Sequence, residues 1–148
     1  AARELFNVFP DAKVVWMHRD PQEAVGSLVK LLCGSSGGDP RDRAVRELRL
    51  WSKGVRRTEE ARAAHPDAFF DVDYRRLTSD PLGVATSLFA WLGMDVAPET
   101  QTRMRTWLEE NPQGKHGTHE YDPAELGVTR EAVRTAFAPY MARYGLGS

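Results

Sequence analysis

Two short apolar runs interrupt a chain otherwise patterned for helices. Val14-Val15-Trp16-Met17 and Phe69-Phe70-Asp71-Val72 are nearly continuous and rich in β-branched and aromatic residues. Such runs predict strands covered on both faces, as in a parallel sheet packed between helices. Helical segments separate the two, so a parallel pair joined by a right-handed crossover is expected.

The helical segments carry clear punctuation. Residues 1–9, with Leu5, Phe6, Val8 and Phe9, suit a helix end or packed turn closed by Pro10. A second helix opens at Asp20-Pro21-Gln22-Glu23, where Asp caps, Pro takes the first helical position and Glu can close a capping box. Its apolar face is Ala24, Val25, Leu28, Leu31 and Leu32, and Gly34-Ser35-Ser36-Gly37-Gly38 breaks it. Asp39-Pro40 starts a long helix with Val45, Leu48, Trp51 and Val55 as its stripe, ended by His65-Pro66. Asp80-Pro81 opens another, with Leu82, Ala85, Leu88, Phe89 and Leu92 inward and Gly93 as its stop. A helix over Pro98 to Glu110 uses Met104, Trp107 and Leu108. Asp122-Pro123 begins a short turn, and the last helix runs from about Thr129 to Tyr144 on Val133, Phe137, Tyr140, Met141 and Tyr144. The expected fold class is α/β and helix-rich.

Composition narrows the function classes. A chain of 148 residues, 41% hydrophobic, supports one core, so residues 1–148 read as a single domain. With 20 basic and 21 acidic side chains the net charge is −1, which argues against broad attraction to nucleic acid or an anionic membrane. Any anion site must be local. Cys33 is the single cysteine, which excludes an intrachain disulfide and a zinc cluster; in the run Leu31-Leu32-Cys33 it reads as a buried thiol rather than a nucleophile. No apolar stretch approaches the roughly 20 residues of a membrane span, and no signal peptide opens the chain, so the expected compartment is the cytoplasm. Ala1-Ala2-Arg3-Glu4-Leu5-Phe6 reads as the middle of a helix with neither Met nor N-cap, the pattern of a fragment.

Three constellations can hold an anion or a nucleotide. In His18-Arg19-Asp20-Pro21, followed by Ser27, Arg19 sits where a strand ends and a helix begins. That carboxyl edge is where open α/β sheets bind ligands, and a guanidinium there can grip a phosphate with two parallel hydrogen bonds. Ser27 could add a hydroxyl donor. Asp-Pro recurs at 20, 39, 80 and 122, so Asp20-Pro21 itself is capping grammar, and Arg19 could equally serve a surface ion pair. In Asn111-Pro112-Gln113-Gly114-Lys115-His116-Gly117-Thr118-His119, two glycines bracket Lys115-His116, so backbone N–H groups and one cation can converge on an anion. The same composition also suits an ordinary connection, and no Walker A loop of the form G-x-x-x-x-G-K-S/T occurs. In Asp71-Val72-Asp73-Tyr74-Arg75-Arg76-Leu77, Tyr74 can offer its ring to a base or simply pack. Histidines 18, 65, 116 and 119 lack the spacing of a metal site, and none is expected.

Taken in order, these segments resemble sulfotransferases that use 3′-phosphoadenosine 5′-phosphosulfate. Phe9-Pro10-Asp11-Ala12-Lys13, the strand, Arg19-Asp20-Pro21 and Ser27 resemble their 3′-phosphate-binding segment. Asp73-Tyr74-Arg75-Arg76-Leu77 with Asp80-Pro81 is similar to their Tyr-Glu-Asp-Leu segment, with arginines in the acidic places. Asn111 to Gly117, continuing to Tyr121, Gly127 and Phe137, resembles the C-terminal loop of a bacterial branch. The resemblance implies that Arg19 and Ser27 hold the 3′-phosphate and that Tyr74 lies near the adenine. It implies that Gly114, Lys115, His116 and Gly117 close over the nucleotide, and that residues 34–38 form a lid near the acceptor. The fold implied is a parallel-sheet sandwich of the P-loop nucleotide hydrolase type.

One departure is large. The family's phosphosulfate loop with its lysine, and its histidine base, have no counterpart in the chain, so the N-terminal half of the domain is expected to be missing. His18 adjoins Arg19 and points to the opposite side; it is not read as catalytic. The expectation is a sulfotransferase fragment, inactive alone, serving a small-molecule hydroxyl or amine acceptor. A non-catalytic nucleotide-binding or interaction module that keeps only the 3′-phosphate half-site is the alternative. A kinase of the same broad fold is disfavoured without a Walker A loop. An exposed sheet edge would call for cover by the missing portion or by a second copy.

Overall fold

The computed structural model describes residues 2–25, 39–112 and 128–147. In chain order these form α1 (Ala2–Val8), β1 (Val14–His18), a helical turn at 21–25, α2 (Pro40–Ala64) and a tight 3-10 turn at Pro66–Ala68. There follow β2 (Phe69–Asp73), α3 (Tyr74–Ser79), α4 (Pro81–Trp91), α5 (Pro98–Glu110) and α6 (Arg130–Tyr144). The arrangement is α/β and helix-rich, with a small parallel sheet in which β1 pairs with β2. Cys33, the segment 34–38, Ser27, and residues 114–117 with Tyr121 and Asp122 lie outside the described residues.

The chain forms two compact units, one built from Ala1–Lys13, Arg19–Phe69 and Glu120–Ser148, the other from Val14–His18 and Phe70–His119. In the first, α2 packs against α1 and against α6. Phe6 of α1 is buried, stacks on His65 with ring centroids 4.2 Å apart, and meets Phe69 at 5.8 Å. From α6, Val133, Phe137, Tyr140 and Met141 are buried, as the spacing predicts, while Tyr144 is only half-buried. Arg143 of α6 pairs with Glu59 of α2 at 2.9 Å. Gly145 ends α6 in the left-handed conformation, φ 60°, which a residue without Cβ adopts at little cost.

The predicted stripe of α2 needs correction. Ala44, Leu48 and Ala61 are its buried apolar residues; Val45 and Val55 are half-buried, and Trp51 is exposed. Two helices lean on α2, and a close helix–helix approach favours small side chains at the contact, so alanines take the places a hydrophobicity pattern would give to larger residues.

In the second unit α4 packs against α3 and α5, and Trp91 of α4 lies beside Phe70 of β2 with ring centroids 5.4 Å apart. Strand β1 alternates rather than being covered on both faces. His18 is buried and Trp16 half-buried, whereas Val15 and Met17 are 49% and 50% exposed. A strand sends successive side chains to opposite faces, and no described element covers the Val15–Met17 face. In β2, Phe69 and Val72 are buried. Helix α4 buries Val84, which the pattern did not single out, and leaves Leu92 exposed; Gly93 (φ 71°) is its stop, as expected. On α5, Met104 and Leu108 are half-buried, but Trp107 is 61% exposed.

Candidate functional site

Arg19 follows the last residue of β1 and precedes a locally fixed helix start. The Asp20 carboxylate accepts from Gln22 N–H at 2.8 Å, and its carbonyl accepts from Ala24 N–H at 3.0 Å. The cap predicted at Asp20 is therefore formed, and it determines how the chain leaves the strand. Glu23 does not close a capping box; its carboxylate accepts from Arg19 Nε at 3.1 Å. Arg19 is about one-third exposed, and Glu23 takes one of the five N–H donors a guanidinium carries. The surface ion pair weighed from the sequence is thus present. It is a pair one helical turn apart between partly exposed groups, worth only a few tenths of a kcal/mol. A phosphate dianion would compete with it on favourable terms.

At the end of β2, Asp73 performs the same local task without a proline. Its carboxylate accepts from Arg75 N–H at 2.8 Å and caps α3, whose first residue is Tyr74. The Arg75 guanidinium folds back onto Asp73 at 2.9 Å. Its hydrogen bonds hold the Asp73 carboxyl below the ordinary carboxylate range, and Asp73 in turn raises Arg75. Tyr74 is half-buried. Of the two arginines that replace acidic residues in the resemblance, Arg75 is thus committed to Asp73.

A carboxyl whose pKa is lowered on folding stabilises the fold above its unfolded value, and that contribution fades as pH falls through the folded value. Asp73→Ala is expected to cost about 1 kcal/mol at neutral pH, the scale of a lost N-cap. Thermal unfolding should show the gap between variant and parent narrowing under strongly acidic conditions.

The sequence reading missed one partner. His18 is only 3% exposed, and its Nε2–H donates to Asp71 Oδ1 at 2.9 Å. Trp16, on the same face of β1, lies tilted beside it with ring centroids 4.8 Å apart. The signal was available: His18 closes one apolar strand run and Asp71 interrupts the other. Elsewhere in this unit, Leu82, Ala85, Met104, Trp107 and Leu108, with Arg103, line a groove of about 340 Å³ between α4 and α5. It contains none of the predicted site residues.

Of those residues, Arg19 lies in the first unit and Tyr74 in the second. Ser27, Gly114, Lys115, His116 and Gly117 lie outside the described residues. Among the described residues, no group of three His, Cys, Asp or Glu side chains gathers to hold a metal. No helix among them is long and apolar enough to cross a membrane.

A sequence profile described as the sulfotransferase family matches residues 1–99. The chain belongs to that family. Two solved structures extend the likeness beyond the matched segment. Sulfotransferase STF9 from Mycobacterium avium is 30% identical, with a TM-score of 0.80 over 95% of this chain and 38% of its own. Sulfotransferase STF1 from Mycobacterium tuberculosis H37Rv is also 30% identical, with a TM-score of 0.75 over 94% of this chain and 36% of its own. The sulfotransferase chain described here thus spans well under half the length of either protein. No curated protein matches it. Use of 3′-phosphoadenosine 5′-phosphosulfate is the norm of the family.

Proposed function

We propose that this chain binds the 3′-phosphoadenosine part of 3′-phosphoadenosine 5′-phosphosulfate within a larger sulfotransferase. The observation that carries the reading is the placement of Arg19, a cation at the carboxyl end of a strand of a parallel sheet, in a chain of this family. Arg19 and Ser27 take the 3′-phosphate, and Tyr74 lies near the adenine. Gly114, Lys115, His116 and Gly117 close over the nucleotide. The surrounding fold is a P-loop-like sandwich, and the small-molecule acceptor presents a hydroxyl or an amine.

The donor supplies an activated sulfuryl group. In the transfer, the acceptor oxygen or nitrogen bonds to sulfur as the bond from sulfur to the bridging oxygen breaks. The acceptor gives up its proton, and adenosine 3′,5′-bisphosphate leaves. A base and a cation at the bridge oxygen serve that step in the complete protein. The residues of this chain bind and orient: a fixed guanidinium on the 3′-phosphate fixes where the far end of the donor lies. Orientation of this kind lowers the barrier without touching the reacting atoms.

The complete protein, supplied with the donor and a panel of phenols, alcohols and amines, is expected to release the bisphosphate only when an acceptor is present. Tight bisphosphate binding with no acceptor-dependent release across the panel would contradict transfer.

A further inference from the structure

His18 and Asp71 are 53 residues apart in the chain and joined by a part-buried hydrogen bond of 2.9 Å, its imidazole buried and its carboxylate half-buried. Their positions matter as much as their contact. His18 is the last residue of β1, and Arg19 is attached to it by one peptide bond. Asp71 lies at the middle of β2, two residues before the Asp73 cap and three before Tyr74. The pair therefore ties the two strands together just upstream of Arg19 in one and Tyr74 in the other.

A hydrophobic pair would fill this space without the cost of taking an imidazole, and much of a carboxylate, out of water. Buried polar pairs contribute little net stability, but they have only a few satisfied geometries and so can select one arrangement. The imidazole is 3% exposed and its Nε2–H is directed at a carboxylate, so it is placed to position other residues rather than to touch reactants. Because consecutive Cα atoms are only about 3.8 Å apart, restraining His18 restrains the backbone from which Arg19 departs.

We propose that the His18–Asp71 pair is a positioning device. It fixes the register and direction of the carboxyl edge so that the Arg19 guanidinium is pre-aimed at the 3′-phosphate. The proposal rests on the nucleotide-binding reading above, which assigns Arg19 to that phosphate.

The test uses the complete protein and calorimetric affinities for adenosine 3′,5′-bisphosphate and adenosine 5′-monophosphate, compared as a ratio. A purely structural contact would change the melting temperature and leave the ratio alone, since both nucleotides would lose equally. Asp71→Ala is expected to reduce the bisphosphate preference about tenfold, the scale of one misaligned charge-assisted hydrogen bond. Asp71→Asn keeps an acceptor for the His18 Nε2–H and is expected to retain the preference. The double variant His18→Leu with Asp71→Val replaces the pair with apolar side chains and guards against loss of folding. It should melt near the parent temperature yet show the same reduction in preference as Asp71→Ala. A double variant with the parental ratio would overturn the proposal while the 3′-phosphate reading stands. Parent protein that shows no preference would instead sink the nucleotide reading, and the positioning role with it.

Discussion

Arg19→Ala in the complete protein is expected to weaken adenosine 3′,5′-bisphosphate by about 1.5–3 kcal/mol, roughly 10- to 150-fold. Adenosine 5′-monophosphate should be nearly unaffected. The magnitude follows from losing hydrogen bonds between a fixed cation and a dianion, which are about twice as strong as neutral ones. The fixing matters, because the Asp20 cap on Gln22 and Ala24 holds the chain immediately after Arg19. Arg19→Lys should fall between alanine and the parent, since an ammonium keeps the charge and loses the planar fork. Calorimetry with both nucleotides separates this effect from general damage. Equal losses for the two would mean that Arg19 does not meet the 3′-phosphate.

The second large effect is on folding. Phe137→Ala is expected to destabilise the protein by about 3–5 kcal/mol in urea unfolding, the range for emptying a large aromatic site. Phe137 is buried at the face that α6 turns to the rest of its unit, with Tyr140 edge-on at 6.4 Å. Neighbouring Val133 and Met141 are buried too, and a cavity enclosed by well-packed side chains collapses only in part. Trp107→Ala makes a useful contrast. A larger side chain is removed, but from an exposed place on α5, and the expected change is within about 0.5 kcal/mol. A small effect at Phe137 would show that α6 is not part of the core.

These two residues also illustrate what a sequence reveals and what it conceals. Caps are legible because they span two or three residues. Asp20, Asp39 and Asp80 each accept from a backbone N–H near the start of the following helix, at 2.8, 2.8 and 2.9 Å. The inward face of α6 was legible for a similar reason, its helical spacing being strong over four turns. Burial that depends on distant segments was not. Trp51 and Trp107 look like core residues by type, yet whether a tryptophan is covered depends on which helix lies opposite. Val15 and Met17 belong to an apolar run that reads as covered on both sides, although only one face of β1 is covered by the described residues.

The candidate site divides along the same line. Arg19 and Tyr74 were singled out as candidates from their places after strand runs, and those places are where the structure has them. The His18–Asp71 pair was missed because nothing local links residues 53 positions apart; only the pairing of β1 with β2 does. A histidine at the end of one apolar strand and an aspartate inside the other were nevertheless a usable clue, since buried polar groups are nearly always matched.

The most direct measurement is a crystal structure of the complete protein with adenosine 3′,5′-bisphosphate bound. The account predicts Arg19 nitrogens about 2.7–2.9 Å from the 3′-phosphate oxygens, with the Ser27 hydroxyl on the same phosphate. A 3′-phosphate held by other side chains, with Arg19 engaged only by Glu23, would contradict it.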